Sequence, residues 1–262
     1  AQNESVVTIA NNITFDITKP KFTEVLPLAS SRINTQTVEW NVDESLQSGK
    51  YTWIHMGGVE DPSAPHEFNL SDDLLKPGKG DNSKLPPLNL VVDAMYRITL
   101  EGTDLAGNTG KKFIMSVVYD DLAPQLELKY PLSNSAVNHL DISYSLNEQL
   151  SIGQIIYTRV GGEPDANSPV ILDLTGAELE TNFDTPQTTT KPPVLNDGSI
   201  YNIQFKGSDL ATNESVSNIV ENVKYDITRP VITIFYPSTK SYFMGSDIGI
   251  EISEDLEDGA MI

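Results

Sequence analysis

Residues 211–230 read ATNESVSNIVENVKYDITRP, and residues 1–20 read AQNESVVTIANNITFDITKP; eleven of these twenty positions are identical. The aromatic-Asp pair inside the stretch recurs at Phe15-Asp16, Tyr119-Asp120 and Tyr225-Asp226, followed by Pro20, Pro124 and Pro230. From Phe15 to Tyr119 is 104 residues and from Tyr119 to Tyr225 is 106. A period of about 100 residues is the size of a whole domain, whereas solenoid units run about 20–50 residues. The expected organisation is therefore a last strand of a preceding truncated repeat at 1–14, full repeats at 15–118 and 119–224, and the incomplete N-terminal part of a further repeat at 225–262. Such a chain reads as a segment of a longer tandem array. Its last, incomplete copy has sequence for about two strands and is expected to fray, since two strands rarely hold alone in water.

Within one repeat the apolar residues alternate. Gln125–Tyr130, Leu140–Leu146, Gly153–Thr158, Val170–Leu174, Ile200–Phe205 and Val216–Tyr225 each read as a short strand, with Pro, Gly, Asn and Asp clustered between them. No long run has a period near 3.6, so the repeat is a β-sandwich or barrel. The first repeat answers run for run: Thr37–Val42 matches Asp141–Leu146, Gly57-Gly58 matches Gly161-Gly162, Asp61 and Pro65 match Asp165 and Pro169, and Met95–Leu100 matches Ile200–Phe205. The two copies agree least at 76–92 against 180–197, which reads as a surface loop.

Composition narrows the function. The formal charge is −20, which repels nucleic acid and anionic lipid and attracts cations. There are no cysteines, which excludes disulfides, thiolate metal sites and Cys nucleophiles. No stretch of about 18 apolar residues is present, so no membrane insertion is expected. The three histidines, His55, His66 and His139, hold non-equivalent repeat positions and form no HExxH frame, so they read as ordinary surface or strand residues. No Gly-x-Ser-x-Gly elbow or phosphate-cradling loop occurs, and carboxylates repeated in every unit argue against a catalytic pair. Trp40 alternates inward with Val38 and Val42 and reads as core; Trp53 is open to two readings, core or exposed ligand contact.

The run Tyr-x-Ile-x-x-x-Gly-[Thr/Ser]-Asp-Leu-Ala-x-Asn, a strand, and then Tyr-Asp-Ile-Thr-x-Pro resembles the immunoglobulin-like and fibronectin-III-like repeats of giant bacterial surface adhesins. The pattern Gly-Gly-x-x-Asp followed by Leu-Thr-Gly-x-Glu-Leu is most similar to long repeat proteins of gliding bacteria exported by a type IX system. The resemblance implies an all-β fold of tandem seven-stranded immunoglobulin-like sandwiches, truncated at both ends. Tyr96 and Tyr201 would open strand F, either as corner tyrosines or as plain buried aromatics. It also implies a non-catalytic stalk on the extracellular bacterial surface. The partners would be neighbouring repeats of the same chain, with other surface or secretion-machinery proteins. The alternative is an accessory spacer or carbohydrate-binding module of a secreted multidomain enzyme.

Placed on that topology, three acidic columns meet at one pole of each repeat. Asp16, Glu44, Asp104 and Asn108 would gather in one repeat; Asp120, Asp121, Glu148, Asp209 and Asn213 would gather in the next. Ca²⁺ takes about 6–8 oxygen ligands of this kind, so one of two readings is an interdomain calcium as the cofactor, stiffening the linker. A second account needs no ion: Asp-Leu-Ala-Gly-Asn is hairpin-turn chemistry, and the Asp of an extended linker accepts backbone N–H bonds. Glu44 and Glu148 favour calcium, because no turn rule requires them.

Overall fold

The computed structural model describes residues 11, 13–83, 85–182, 185–242 and 244–254. The expected 1–14 strand therefore lies almost wholly outside the described residues. The chain divides into two compact units. One holds the described residues up to Pro124 together with Gln149–Ser151 and Ser208–Ser215; the other holds Gln125–Glu148, Ile152–Gly207 and the described residues from Val216 onward.

The first sandwich comprises β1 (Phe22–Leu26), β2 (Arg32–Ile33), β3 (Glu39–Val42), β4 (Leu46–Gly58), β5 (His66–Asn69), β6 (Gly78–Asp81), β7 (Ala94–Asp104) and β8 (Thr109–Tyr119). One sheet has the order β1-β3-β6 and the other β2-β8-β7-β4-β5. The leading strand is divided: β1 pairs antiparallel with β3, and β2 crosses over to pair parallel with β8. Counting β1 and β2 as one gives the seven strands expected.

Strand β7 shows why the sequence folds this way. Ala94, Tyr96, Ile98, Leu100, Gly102 and Asp104 are buried, while Met95, Arg97, Thr99, Glu101 and Thr103 face outward. Successive side chains of a strand point to opposite faces, so this period of two commits one face to the core and one to water. The core collects Trp40, Tyr51, Trp53, Tyr96, Ile98 and Leu100 from both sheets. Trp53 is 0% exposed, so it is core and touches no external ligand. Gly80 stands opposite Trp40 on β3 and β6, and a Cβ there would lie 2.9 Å from the indole. The tryptophan fits because that position has no side chain.

The stretch 76–92 is not a surface loop throughout. It contains β6, and Leu85, Leu88, Leu90, Val91 and Val92 pack partly buried against the core. Asn82 is buried, accepting from Val38 N at 2.7 Å and donating to Gln36 O at 2.8 Å and Tyr51 Oη at 3.1 Å. These residues follow no strand or helix period, so their burial leaves no periodic trace in the sequence.

The second sandwich repeats the plan with β9 (Leu126–Tyr130), β10 (Ala136–Val137), β11 (Ser143–Leu146), β12 (Leu150–Gly162), β13 (Val170–Asp173), β14 (Gln187–Thr188), β15 (Ser199–Asp209), β16 (Glu214–Val216) and β17 (Val220–Tyr225). Its sheets run β14-β11-β9 and β10-β17-β15-β12-β13, with β16 beside β15. The region matching 76–92 is closed differently here. Buried Glu178 accepts from Thr190 N at 2.6 Å and Thr175 N at 2.8 Å, which pins the loop with charge-assisted bonds. A separate two-stranded sheet pairs β18 (Ile232–Tyr236) with β19 (Gly249–Ile252). Tyr119 ends β8 and packs in the first core, so the break between compact units falls after Pro124, some residues past the motif boundary at 118/119.

Candidate metal centre

Asp104 is the last residue of β7 and is buried at the foot of the β7–β8 turn. Its Oδ1 accepts from Ala106 N at 2.8 Å and Asn108 N at 2.9 Å, and its Oδ2 accepts from Asn108 Nδ2 at 2.9 Å. Gly107 supplies the left-handed backbone, φ +90°, that closes the turn. Burial alone would raise the Asp104 carboxyl, but these hydrogen bonds, led by those from Asn108, hold it below the usual carboxylate value. The turn account is thus realised in full.

Asn108 also donates to the backbone carbonyl of Asp16 at 3.1 Å, which ties the incoming segment to the turn. The segment lies close: a Cβ on Gly110 would fall 1.8 Å from Pro20 O, so only glycine admits it there. Asp16 itself accepts from Thr18 N at 2.9 Å.

Carboxylate oxygens of Asp16, Glu44 and Asp104 lie within 4.8 Å of one another. Glu44 comes from the short turn between β3 and β4. Burial, and then the charges of Asp104, Asp16 and Asp43, raise its carboxyl above the ordinary value. No Lys, Arg or His pairs with these three carboxylates among the described residues. The arrangement can take up a hard cation, with carboxylate oxygens from three separate segments. Asn108 Nδ2 is spent on Asp104 and the Asp16 carbonyl.

The second column has the same turn and a different charge balance. Asp209 Oδ1 accepts from Ala211 N at 2.8 Å and Asn213 N at 2.9 Å, and its Oδ2 from Asn213 Nδ2 at 2.8 Å. Asn213 Nδ2 donates to the Asp120 carbonyl at 2.9 Å. Thr212 takes the place of Gly107, with φ +71°. Asp120 already has a cation beside it: Arg32 Nη1 lies 3.0 Å from its Oδ2 and 3.0 Å from Asp93 Oδ1. Even so, burial, helped by the Asp209 and Asp93 charges, raises the Asp120 carboxyl. Glu148, in the second unit, sits two residues after β11, as Glu44 sits two after β3. Asp121 stands apart, its Oδ2 accepting from Tyr119 Oη at 2.9 Å.

Two polar arrangements escaped the motif reading. Arg32 has Ala136 as its repeat counterpart, and only its place beside Asp120 gives it meaning. His66 is the strand residue expected, at the start of β5, but it is also a partner: its Nε2 stands 2.6 Å from Asp61 Oδ2, and Tyr96 Oη donates to the same oxygen at 2.6 Å. Tyr96 Oη also accepts from Val91 N at 2.9 Å, and Tyr201 Oη from Asn196 N at 3.0 Å. Both are therefore corner tyrosines as well as buried aromatics.

No protein-family model matches the chain, and no curated sequence matches it. Among solved structures it is similar to fibronectin(III)-like modules of Clostridium thermocellum CbhA, at 11% identity and TM-score 0.37, over 79% of this chain and 94% of that one. It is also similar to the chicken CNTN1 FN1–FN3 domains, at 10% identity and TM-score 0.35, over 78% and 67%. A third similarity is to a structure of a 1.5-MDa bacterial ice-binding adhesin, at 13% identity and TM-score 0.30, over 76% and 62%. These neighbours are fibronectin-III-like and immunoglobulin-like domains, and one of them is a bacterial adhesin.

Proposed function

We propose that this chain is a non-catalytic stalk segment of a large, repetitive adhesin on the bacterial cell surface. In the sharpest form of the reading it is a gliding-motility adhesin exported by a type IX system. Its partners are neighbouring repeats, together with other surface or secretion-machinery proteins. One observation carries the proposal. The segment leading into the first sandwich is fastened to that sandwich's own turn, through Asn108 Nδ2 on the Asp16 carbonyl and the close seat of Pro20 at Gly110. A fastened linker suits a part that must transmit force rather than swing.

Calcium belongs to this proposal. Asp16, Glu44 and Asp104 would hold the ion in the first unit, and the repeat sets the same residue types at Asp120, Glu148 and Asp209. The ion would remove the mutual repulsion that adds to burial in raising Glu44, and lock the Asp16 segment to two turns. Extracellular calcium modules bind at roughly 10⁻⁴–10⁻³ M. At ten- to hundredfold excess over Kd, binding stabilises by about 1.4–2.7 kcal/mol.

The test is a thermal melt of the chain with calcium and with chelator, joined to small-angle scattering in both states. A raised Tm and a longer particle are expected with calcium. Identical melts would refute the ion. The stalk itself is tested on the gene: further copies in tandem are expected, and a neighbouring catalytic domain would shift the reading to an accessory module.

A further inference from the structure

We propose that the solvent face of the β5-β4-β7-β8 sheet in the first unit binds an acidic sugar, the carboxylate-bearing residue of a polysaccharide. A groove of about 560 Å³ lies there, within the range of about 300–1,000 Å³ common for small-ligand sites. The strand register explains the hollow. Thr52 and Thr99 stand opposite each other on β4 and β7, with the row Lys50–Glu101–Lys111 on one side and Ile54–Arg97 on the other. Short side chains run along the centre and long ones along the flanks.

Most of the groove's charge is already paired. Lys50 Nζ meets Glu67 Oε2 at 2.8 Å, and Lys111 Nζ meets Glu101 Oε2 at 2.7 Å. Asp61 is taken by His66 and Tyr96. Arg97 is left over. It makes no ion pair among the described residues, and its guanidinium lies over the Phe113 ring, 5.6 Å from the centroid. Arg97 Nε and Thr99 Oγ1 are both buried without a hydrogen-bond partner. Buried polar groups are normally satisfied, and these two, on residues that line the groove, have capacity left for a ligand's polar atoms.

The chemistry of the missing partner follows. A planar guanidinium beside an aromatic ring suits a carboxylate, which it can grip with two N–H groups. A Thr hydroxyl can donate to and accept from a ring hydroxyl, and the carboxylates of Glu67 and Glu101 can accept from others. A sheet face has its backbone groups paired within the sheet, so an extended peptide would add at an edge and not here. The second repeat carries Ile156, Gln204 and Asn202 where the first has Thr52, Thr99 and Arg97, so the groove belongs to this unit and not to the fold in general. It stands independently of the stalk reading.

The test is calorimetric titration of the full chain, in chelator so that no calcium bridge contributes. The probes are tetramers of galacturonate, glucuronate and mannuronate, with galactotetraose and tetraglutamate as comparators. At least one uronate tetramer is expected to bind, with galactotetraose and tetraglutamate each at least tenfold weaker. Arg97→Gln should weaken the uronate about 10- to 100-fold, the range for losing a charged hydrogen bond. Thr99→Val should weaken it severalfold. Both variants should keep the wild-type melt. Binding by none of the uronates, equal binding of either comparator, or an Arg97→Gln variant that binds like wild type would each overturn the proposal.

Discussion

Replacing Tyr96 with Phe removes one oxygen from the interior of the first sandwich, and the structure says what that costs. The hydroxyl donates to Asp61 Oδ2 at 2.6 Å and accepts from Val91 N at 2.9 Å. A hydrogen bond to a charged group contributes about 1.5–3 kcal/mol. Asp61 is 5% exposed, so water does not replace the lost donor, although His66 Nε2 and Ser63 N remain on the carboxylate. Val91 is only half buried, so its N–H can turn to solvent and adds well under about 1 kcal/mol. The sum is about 2–3 kcal/mol, or a Tm lowered by about 8–24 °C for a unit of this size. The chain's only two tryptophans, Trp40 and Trp53, both lie in this core, and Trp53 packs edge-on against Tyr96 at 5.6 Å. Tryptophan fluorescence therefore reports the first unit alone. Tyr201→Phe is the internal control. Its hydroxyl makes the same pair of bonds, to Asp165 Oδ2 at 2.6 Å and from Asn196 N at 3.0 Å, but Asp165 is half exposed. The second change should cost less, read from the second transition by circular dichroism. A Tyr96→Phe loss below about 0.5 kcal/mol, or a larger loss at Tyr201, would refute the reasoning that burial of the acceptor sets the cost.

Two further outcomes are expected. The Asp61 carboxyl lies below its ordinary value because hydrogen bonds from Tyr96, His66 and Ser63 outweigh the burial that would raise it. A depressed carboxylate contributes stability above the unfolded-state value and loses it as pH falls through the folded one. The gap in stability between wild type and Asp61→Asn, followed by tryptophan fluorescence, should thus close as pH drops below the ordinary value of 3.8; a gap unchanged in acid would contradict this. Thr212 is β-branched at φ +71°, where the first repeat has Gly107 at φ +90°. Thr212→Gly should relieve strain of about 1–3 kcal/mol, offset by about 1 kcal/mol of backbone entropy. The Tm should rise by a few degrees, and a fall would show that the turn is unstrained.

Much of the fold was legible in the sequence because half-buried strands write their burial as a period of two. Strands β7 and β15 were found that way, and the repeat set their phase. The turn Asp104–Asn108 was legible too, since Asp, Gly and Asn in that spacing satisfy their own backbone locally. The stretch 76–92 was not, because Asn82 and the leucines after it are buried by neighbours from distant strands and keep no period.

The sequence by itself determined the repeat, the strand alternation, the turn chemistry and the columns of acids, all of which depend on residues within a few positions of one another or on copies in register. Only the tertiary structure decided which charges meet. Arg32 reaches Asp120 across 88 residues, leaving that carboxylate paired, while Asp16, Glu44 and Asp104 crowd together with no basic side chain paired to them among the described residues. It also decided that Trp53 and His66 turn inward, that Asp121 bonds Tyr119, and that Arg97 has no acid paired to it among the described residues. Each of these outcomes depends on distance and solvent exclusion between segments far apart in the chain, and a linear pattern carries neither.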